Sequence, residues 1–81
     1  MTETDILAKL TQLFRDIFDE ESLVITPQTT ADDVEGWDSV NHITLVVAVE
    51  QAFKVKFKTA EIESLKDVGD LVKLVMAKTA A

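Results

Sequence analysis

Apolar residues recur at three-to-four-residue spacing along most of this chain, and that spacing is the strongest constraint on its fold. Ile6, Leu10, Leu13, Phe14, Ile17 and Phe18 repeat this way over residues ~4–18, with Lys9, Gln12, Arg15 and Asp16 between them. An α-helix gathers such positions on one face, whereas a strand would scatter them over two. Thr2 or Thr4 can cap its start. Asp19-Glu20-Glu21 would sit at its C-terminus, where the helix dipole disfavours acids, so the helix is expected to stop there.

A second helix is predicted over residues ~39–53. Thr44-Leu45-Val46-Val47 has strong β propensity, and a strand is the main competitor. Length and a capped start favour helix. Val40, Ile43, Val46, Val47 and Phe53 are expected mainly on one side of it. Lys54-Val55-Lys56-Phe57-Lys58 alternates, predicting a short extended segment with Val55 and Phe57 turned one way. Thr59 reads as the cap of a short third helix with Ile62 and Leu65 inward. Asp67 or Gly69 precedes a last helix over ~68–78, with Val68, Leu71, Val72 and Val75 inward, Lys73 and Lys78 outward, and a fraying Ala-rich end.

The expected fold is therefore all-α, a small four-helix bundle of three main helices plus one short helix. A long loop over ~19–38 joins helices 1 and 2. In it, Leu23-Val24-Ile25 is expected to pack on the core, and Pro27 holds Thr26 extended. A loop this long in a small domain usually carries function. Residues 1–81 read as a single domain, since 81 residues are too few for two cores.

Composition narrows the function. The chain is 47% hydrophobic and 28% charged, which suits a packed domain rather than a disordered one. It has no cysteine, so disulfides and thiolate metal sites are excluded. The net charge is −7, and Asp16, Asp19, Glu20, Glu21, Asp32, Asp33, Glu35 and Asp38 follow one another without a Lys or Arg between them. Such a front repels nucleic acid and anionic lipid and attracts basic protein surfaces, or it simply confers solubility. No apolar run is long enough for a membrane span. The expectation is a cytoplasmic monomer with no nucleic-acid or membrane partner.

The chemistry gathers at Gly36-Trp37-Asp38-Ser39-Val40. Gly36 suits a positive-φ turn. Trp37 reads as a half-buried packing residue. Asp38 can cap the second helix with its carboxylate. Ser39 then stands in the first turn, exposed, where unpaired N–H groups and the dipole stabilise an anion such as a phosphate on its hydroxyl. Ser39, His42 and Asp38 also invite a hydrolase reading. No Gly-x-Ser-x-Gly elbow is present, and so small a bundle offers little room for a substrate, so the chain is read as no enzyme. His42 is expected at the surface near the Asp38 carboxylate. A calcium loop fails: with Gly36 as its glycine, Ala31 falls at the first ligand position and His42 at the last. No metal ligand is therefore assigned. Two glycines in all leave no phosphate-binding glycine loop.

At these residues the chain resembles the acyl carrier proteins, the phosphopantetheine-dependent carrier family. The likeness rests on Gly36-Trp37-Asp38-Ser39-Val40, on His42-Ile43 through Val49-Glu50-Gln51-Ala52-Phe53, on Thr29-Thr30-Ala31-Asp32-Asp33-Val34, and on the Phe53–Phe57 and Ile62 segment. It spans nearly the whole chain. The resemblance implies that Ser39 is esterified with 4′-phosphopantetheine, taken from coenzyme A by a separate phosphopantetheinyl transferase with Mg²⁺. Asp38 would position that transferase and its metal. The arm's thiol would hold an acyl or aminoacyl group as a thioester for loading and acyl-processing enzymes. Trp37, Val40, Ile43, Val47 and Glu50 would face partners or flank the arm.

The chain departs from the fatty-acid members of that family in two ways. Glu50 is its only acid between Ser39 and Phe53, and Trp37 stands before Asp-Ser. The Trp37 feature resembles discrete carriers of specialised lipid or secondary-metabolite pathways, D-alanyl and polyketide or peptide-type carriers included, and an aminoacyl or peptidyl carrier is the first alternative. The alternative from another class is an unmodified helical interaction domain. Carriers release cargo through mobility, so the ~54–66 region is expected to be the loosest packed.

Overall fold

The computed structural model describes residues 2–79, in which four helices follow one another: α1 Glu3–Phe18, α2 Ser39–Phe53, α3 Thr59–Glu63 and α4 Val68–Thr79. A single 3-10 turn, Ala31–Asp33, interrupts the long loop between α1 and α2. Among the described residues the only β pairing is an isolated bridge between Thr30 and Asp67. The all-α expectation holds, with three longer helices and one short one. The strand competitor for residues 39–53 is set aside. The fraying expected of the Ala-rich end falls on Ala80 and Ala81, outside the described residues.

Thr2 caps α1 reciprocally: its hydroxyl accepts the Asp5 N–H, and the Asp5 carboxylate accepts the Thr2 N–H, both at 3.2 Å. The helix ends at Asp19, which is left-handed at φ 51° and sends its N–H to the Arg15 carbonyl. Ile6, Leu10 and Phe14 of α1 are fully buried. They meet Leu45 and Val49 from α2 and Val68, Leu71, Val72 and Val75 from α4 in one core. α1 packs against both of its long neighbours, so it is the central post of the bundle.

Three local expectations change. Val24 is 72% exposed while Ile25 is buried and Leu23 half-buried, because an extended chain sends alternate side chains to opposite sides. Lys58, not Thr59, occupies the cap of α3. The Glu61 carboxylate reaches back to the Lys58 N–H at 2.8 Å, and that bond, rather than a threonine hydroxyl, sets where the helix starts. The apolar residues of α2 do not share one side. Leu45, Val46, Val49 and Phe53 point inward, while Val40, Ile43 and Val47 are 75%, 55% and 45% exposed. At 100° per residue the latter three line a second stripe that no other helix covers. The alternating segment is as expected: Val55 and Phe57 are half-buried against the core and Lys54, Lys56 and Lys58 are exposed.

The long loop is tied down at its middle. Its carbonyls at Thr29 and Pro27 accept the N–H groups of Val68 and Gly69, each at 2.8 Å, serving two otherwise unpaired first-turn donors of α4. Asp67 takes a third, accepting the Asp70 N–H at 2.8 Å, so Asp67 is the capping residue there. A Cβ at Gly69 would lie 2.8 Å from the Pro27 oxygen. Gly69→Ala should therefore push the loop off α4 and destabilise the protein by about 1–3 kcal/mol in urea unfolding.

α3 is the lightest element, with no fully buried residue. It is held at its start by Glu61, whose carboxylate also pairs with Lys78 of α4 at 2.9 Å. The Lys58 N–H, and after it the Lys78 ammonium, hold the Glu61 carboxyl below the usual glutamate range. A depressed native value means that the stabilisation is fully present above the ordinary glutamate range, about 4.3. It is lost as pH falls through the lowered value. Followed by NMR chemical shifts, α3 should lose helicity as pH falls through that lowered value, and Glu61→Gln should show the loss already at neutral pH.

Candidate functional site

Every element of the site converges on the turn before α2. Gly36 adopts φ 90°, and its carbonyl accepts both the Asp38 N–H at 2.9 Å and the Asn41 side-chain amide at 2.6 Å. The positive φ excludes most side chains, and the two bonds fix the direction in which the chain enters the helix. Asp38 is the cap in extended geometry, its carboxylate accepting the Asn41 N–H at 2.9 Å, and the His42 N–H closes on the Asp38 carbonyl at 2.8 Å. Ser39 is the first helical residue, and its side chain is exposed. With Asn41 and His42 paired, the N–H groups of Ser39 and Val40 are the first-turn donors left for an anion attached there.

Trp37 anchors this turn to α1. Its indole meets Phe14 edge-on, with centroids 5.1 Å apart at 87°, and lies 6.4 Å from the Phe18 ring. The half-buried position expected for it is the observed one. The expectation for His42 is corrected. It is half-buried, and its ring nitrogens are directed to Trp37 and Ile62 rather than to the Asp38 carboxylate. The Trp37 indole N–H donates to His42 Nδ1 at 3.0 Å, and His42 Nε2 stands 3.5 Å from the Ile62 carbonyl. A half-buried indole N–H wants an acceptor, and that was the available signal for the pairing. The role of Asn41 in locking Gly36 was also missed, since a side chain reaching back five residues leaves no periodic trace.

Beside Ser39 an open cleft runs between α2 and α3. Ser39, His42 and Ile43 line one side, and Ile62, Leu65 and Lys66 the other. Ile62, expected inward, is thus half-buried on this cleft, while Leu65 packs against the core. Val40, Ile43 and Val47 continue outward from it along α2. Glu50 lies on the same stripe, but one carboxylate oxygen is engaged, accepting the Phe57 N–H at 2.8 Å. An exposed hydroxyl on free helix N-terminal donors, next to a cleft of mixed apolar and polar lining, fits a phosphodiester leading into an extended arm. Among the described residues no group of acids and histidines could hold a metal ion. No described helix is long and apolar enough to cross a membrane.

Comparison with known proteins agrees with this geometry. Residues 8–75 match the family described as the phosphopantetheine attachment site. The chain is 30% identical to the acyl carrier protein of Caulobacter vibrioides, over 95% of this chain and 99% of that one. It is 27% identical to acyl carrier protein 2 of Ralstonia nicotianae, over the full length of both. Its fold superposes with a TM-score of 0.86 on the solution structure of a holo acyl carrier protein from Geobacter metallireducens, at 46% identity, covering 91% of this chain and 85% of that one. The chain belongs to the acyl carrier proteins, carriers that bear a covalent 4′-phosphopantetheine and are not themselves enzymes. Members of this family work with phosphopantetheinyl transferases and acyl-processing enzymes.

Proposed function

We propose that Ser39 is the residue that carries the phosphopantetheine and that the chain delivers an acyl group bound to it as a thioester. The observation that carries this reading is the exposed Ser39 hydroxyl on the capped N-terminus of α2, at the mouth of the α2–α3 cleft. In the attachment step Ser39 Oγ bonds to the β-phosphorus of coenzyme A. The pyrophosphate linkage breaks, 3′,5′-ADP leaves, and the serine proton passes to solvent or to a base of the transferase. The arm then supplies the thiol that this cysteine-free chain lacks.

The chain's own residues prepare that step. Asp38 holds the first turn through the Asn41 N–H and presents its other carboxylate oxygen outward, available to the Mg²⁺ of the transferase. The free N–H groups of Ser39 and Val40 favour the phosphodiester once it forms. Val40, Ile43 and Val47 form the apolar face offered to partner enzymes, bordered by Trp37 at one end and Glu50 at the other. That face holds one acid, so association depends less on charge here than on burying the stripe, with the acidic loop supplying long-range steering. This is the basis for assigning the carrier to a specialised lipid or secondary-metabolite pathway. The setting proposed is the cytoplasm, with the chain acting as a single-domain monomer, a reading that rests on its acidic, highly charged composition.

The test is the intact mass of the protein isolated from the cells that make it, before and after neutral hydroxylamine. Hydroxylamine should remove an acyl mass and leave the phosphopantetheine, and the mass lost identifies the cargo. An aliphatic or hydroxyacyl mass supports the acyl reading, and an amino-acid mass would transfer it to the aminoacyl class. A protein that carries the arm but never a hydroxylamine-labile group would overturn the thioester reading.

A further inference from the structure

The contact between Trp37, His42 and Ile62 joins three separate parts of the molecule: the turn before α2, the first turns of α2, and α3. We propose that His42 is a positioning residue, a latch whose neutral ring sets where α3 lies across the cleft from Ser39. The two hydrogen-bonding distances determine its state. The Trp37 indole can only donate, so His42 Nδ1, 3.0 Å away, is the unprotonated nitrogen. The ring proton is then on Nε2, which faces the Ile62 carbonyl at 3.5 Å. The two ring planes lie 22° apart with centroids 6.0 Å apart, so the rings lie close beside each other as well as sharing the hydrogen bond. Phe14 and Phe18 hold the indole from behind, so the latch is fixed at the α1 end and reaches toward α3.

His42 stands one helical turn after Ser39, and its ring forms part of the cleft beside that residue. α3 buries no residue of its own and depends on such contacts for its position. Without that ring the Trp37 indole N–H would lose its acceptor and the Ile62 carbonyl its contact with α2. The charged groups that share the cleft are Asp38 at the α2 cap, Glu63 on α3 and Lys66 beyond it. From α1 the rings of Phe14 and Phe18 pack against the indole.

The test is amide hydrogen exchange, followed by NMR on the unmodified full-length chain and its variants at neutral pH. It needs no attached arm, so its failure is separate from failure of the Ser39 assignment. Trp37→Phe keeps the aromatic packing but removes the donor, and it should speed exchange of the Ile62–Leu65 amides by about fivefold, the loss of one net hydrogen bond. His42→Ala removes the ring and should speed the same amides at least as much, and the double variant should add nothing further. Unchanged exchange of these amides in the folded variants would overturn the positioning role. Additive effects in the double variant would overturn it too, by showing that the two side chains act on α3 separately. Ring nitrogen shifts of the wild type decide the question even where a variant fails to fold: the proton should be on Nε2, and a proton on Nδ1 would contradict the latch.

Discussion

Phe14→Ala should lower the stability of the chain by about 3–5 kcal/mol, measured by urea unfolding. Phe14 is fully buried on the central helix, packed against Phe18 at 5.6 Å and under the edge of Trp37 at 5.1 Å between centroids. At about 0.05–0.15 kcal/mol per residue, 81 residues have only about 4–12 kcal/mol of stability in all. The variant should therefore lose about a quarter or more of the total stability. The loss should extend to the site, because the indole that braces the Gly36–Ser39 turn rests on this ring. Tryptophan fluorescence should report a more exposed Trp37 even under conditions where the helices remain formed. A change below 1 kcal/mol would mean that the aromatic cluster is not what holds the turn.

Ser39→Ala should have the opposite profile: nearly no effect on the fold and complete loss of carrying capacity. Ser39 is outside the core, and the cap of α2 is Asp38, so stability should remain within about 0.5 kcal/mol. Alanine lacks the oxygen that would bond to phosphorus, so no arm and no thiol can be attached. Thiol titration of the protein after treatment with a transferase should give one thiol per wild-type chain and none per variant. Asp38→Ala separates the neighbouring roles. It should cost about 1 kcal/mol through the lost cap and also slow modification, whereas Ser39→Ala loses only the latter.

The parts of this fold that could be read from the sequence are those governed by local chemistry. The helical spacing of Ile6, Leu10 and Phe14, the carboxylate of Asp38, and the freedom of Gly36 each act within a turn or two, and each is where it was expected. The faces of α2 were not legible, because nearly every residue from Ile43 to Val49 is apolar and no period picks out a side. Packing against α1 and α4 decides that Leu45 and Val49 are core and that Ile43 and Val47 are not. The start of α3 was misplaced by one residue because Glu61, three positions in, competes successfully with Thr59. The surroundings of His42 depend on Ile62, twenty residues away, and on an indole whose position is set by α1. Such contacts follow from the fold and have no signature in the chain.

The central claim is that this carrier is charged with its arm at Ser39 and nowhere else. Intact mass after incubation of the full chain with coenzyme A, Mg²⁺ and a broad-specificity phosphopantetheinyl transferase tests it most directly. The wild type should gain the mass of one phosphopantetheinyl group, and Ser39→Ala none. A folded wild-type chain that gains nothing with several transferases, or an alanine variant that still gains the group, would contradict it.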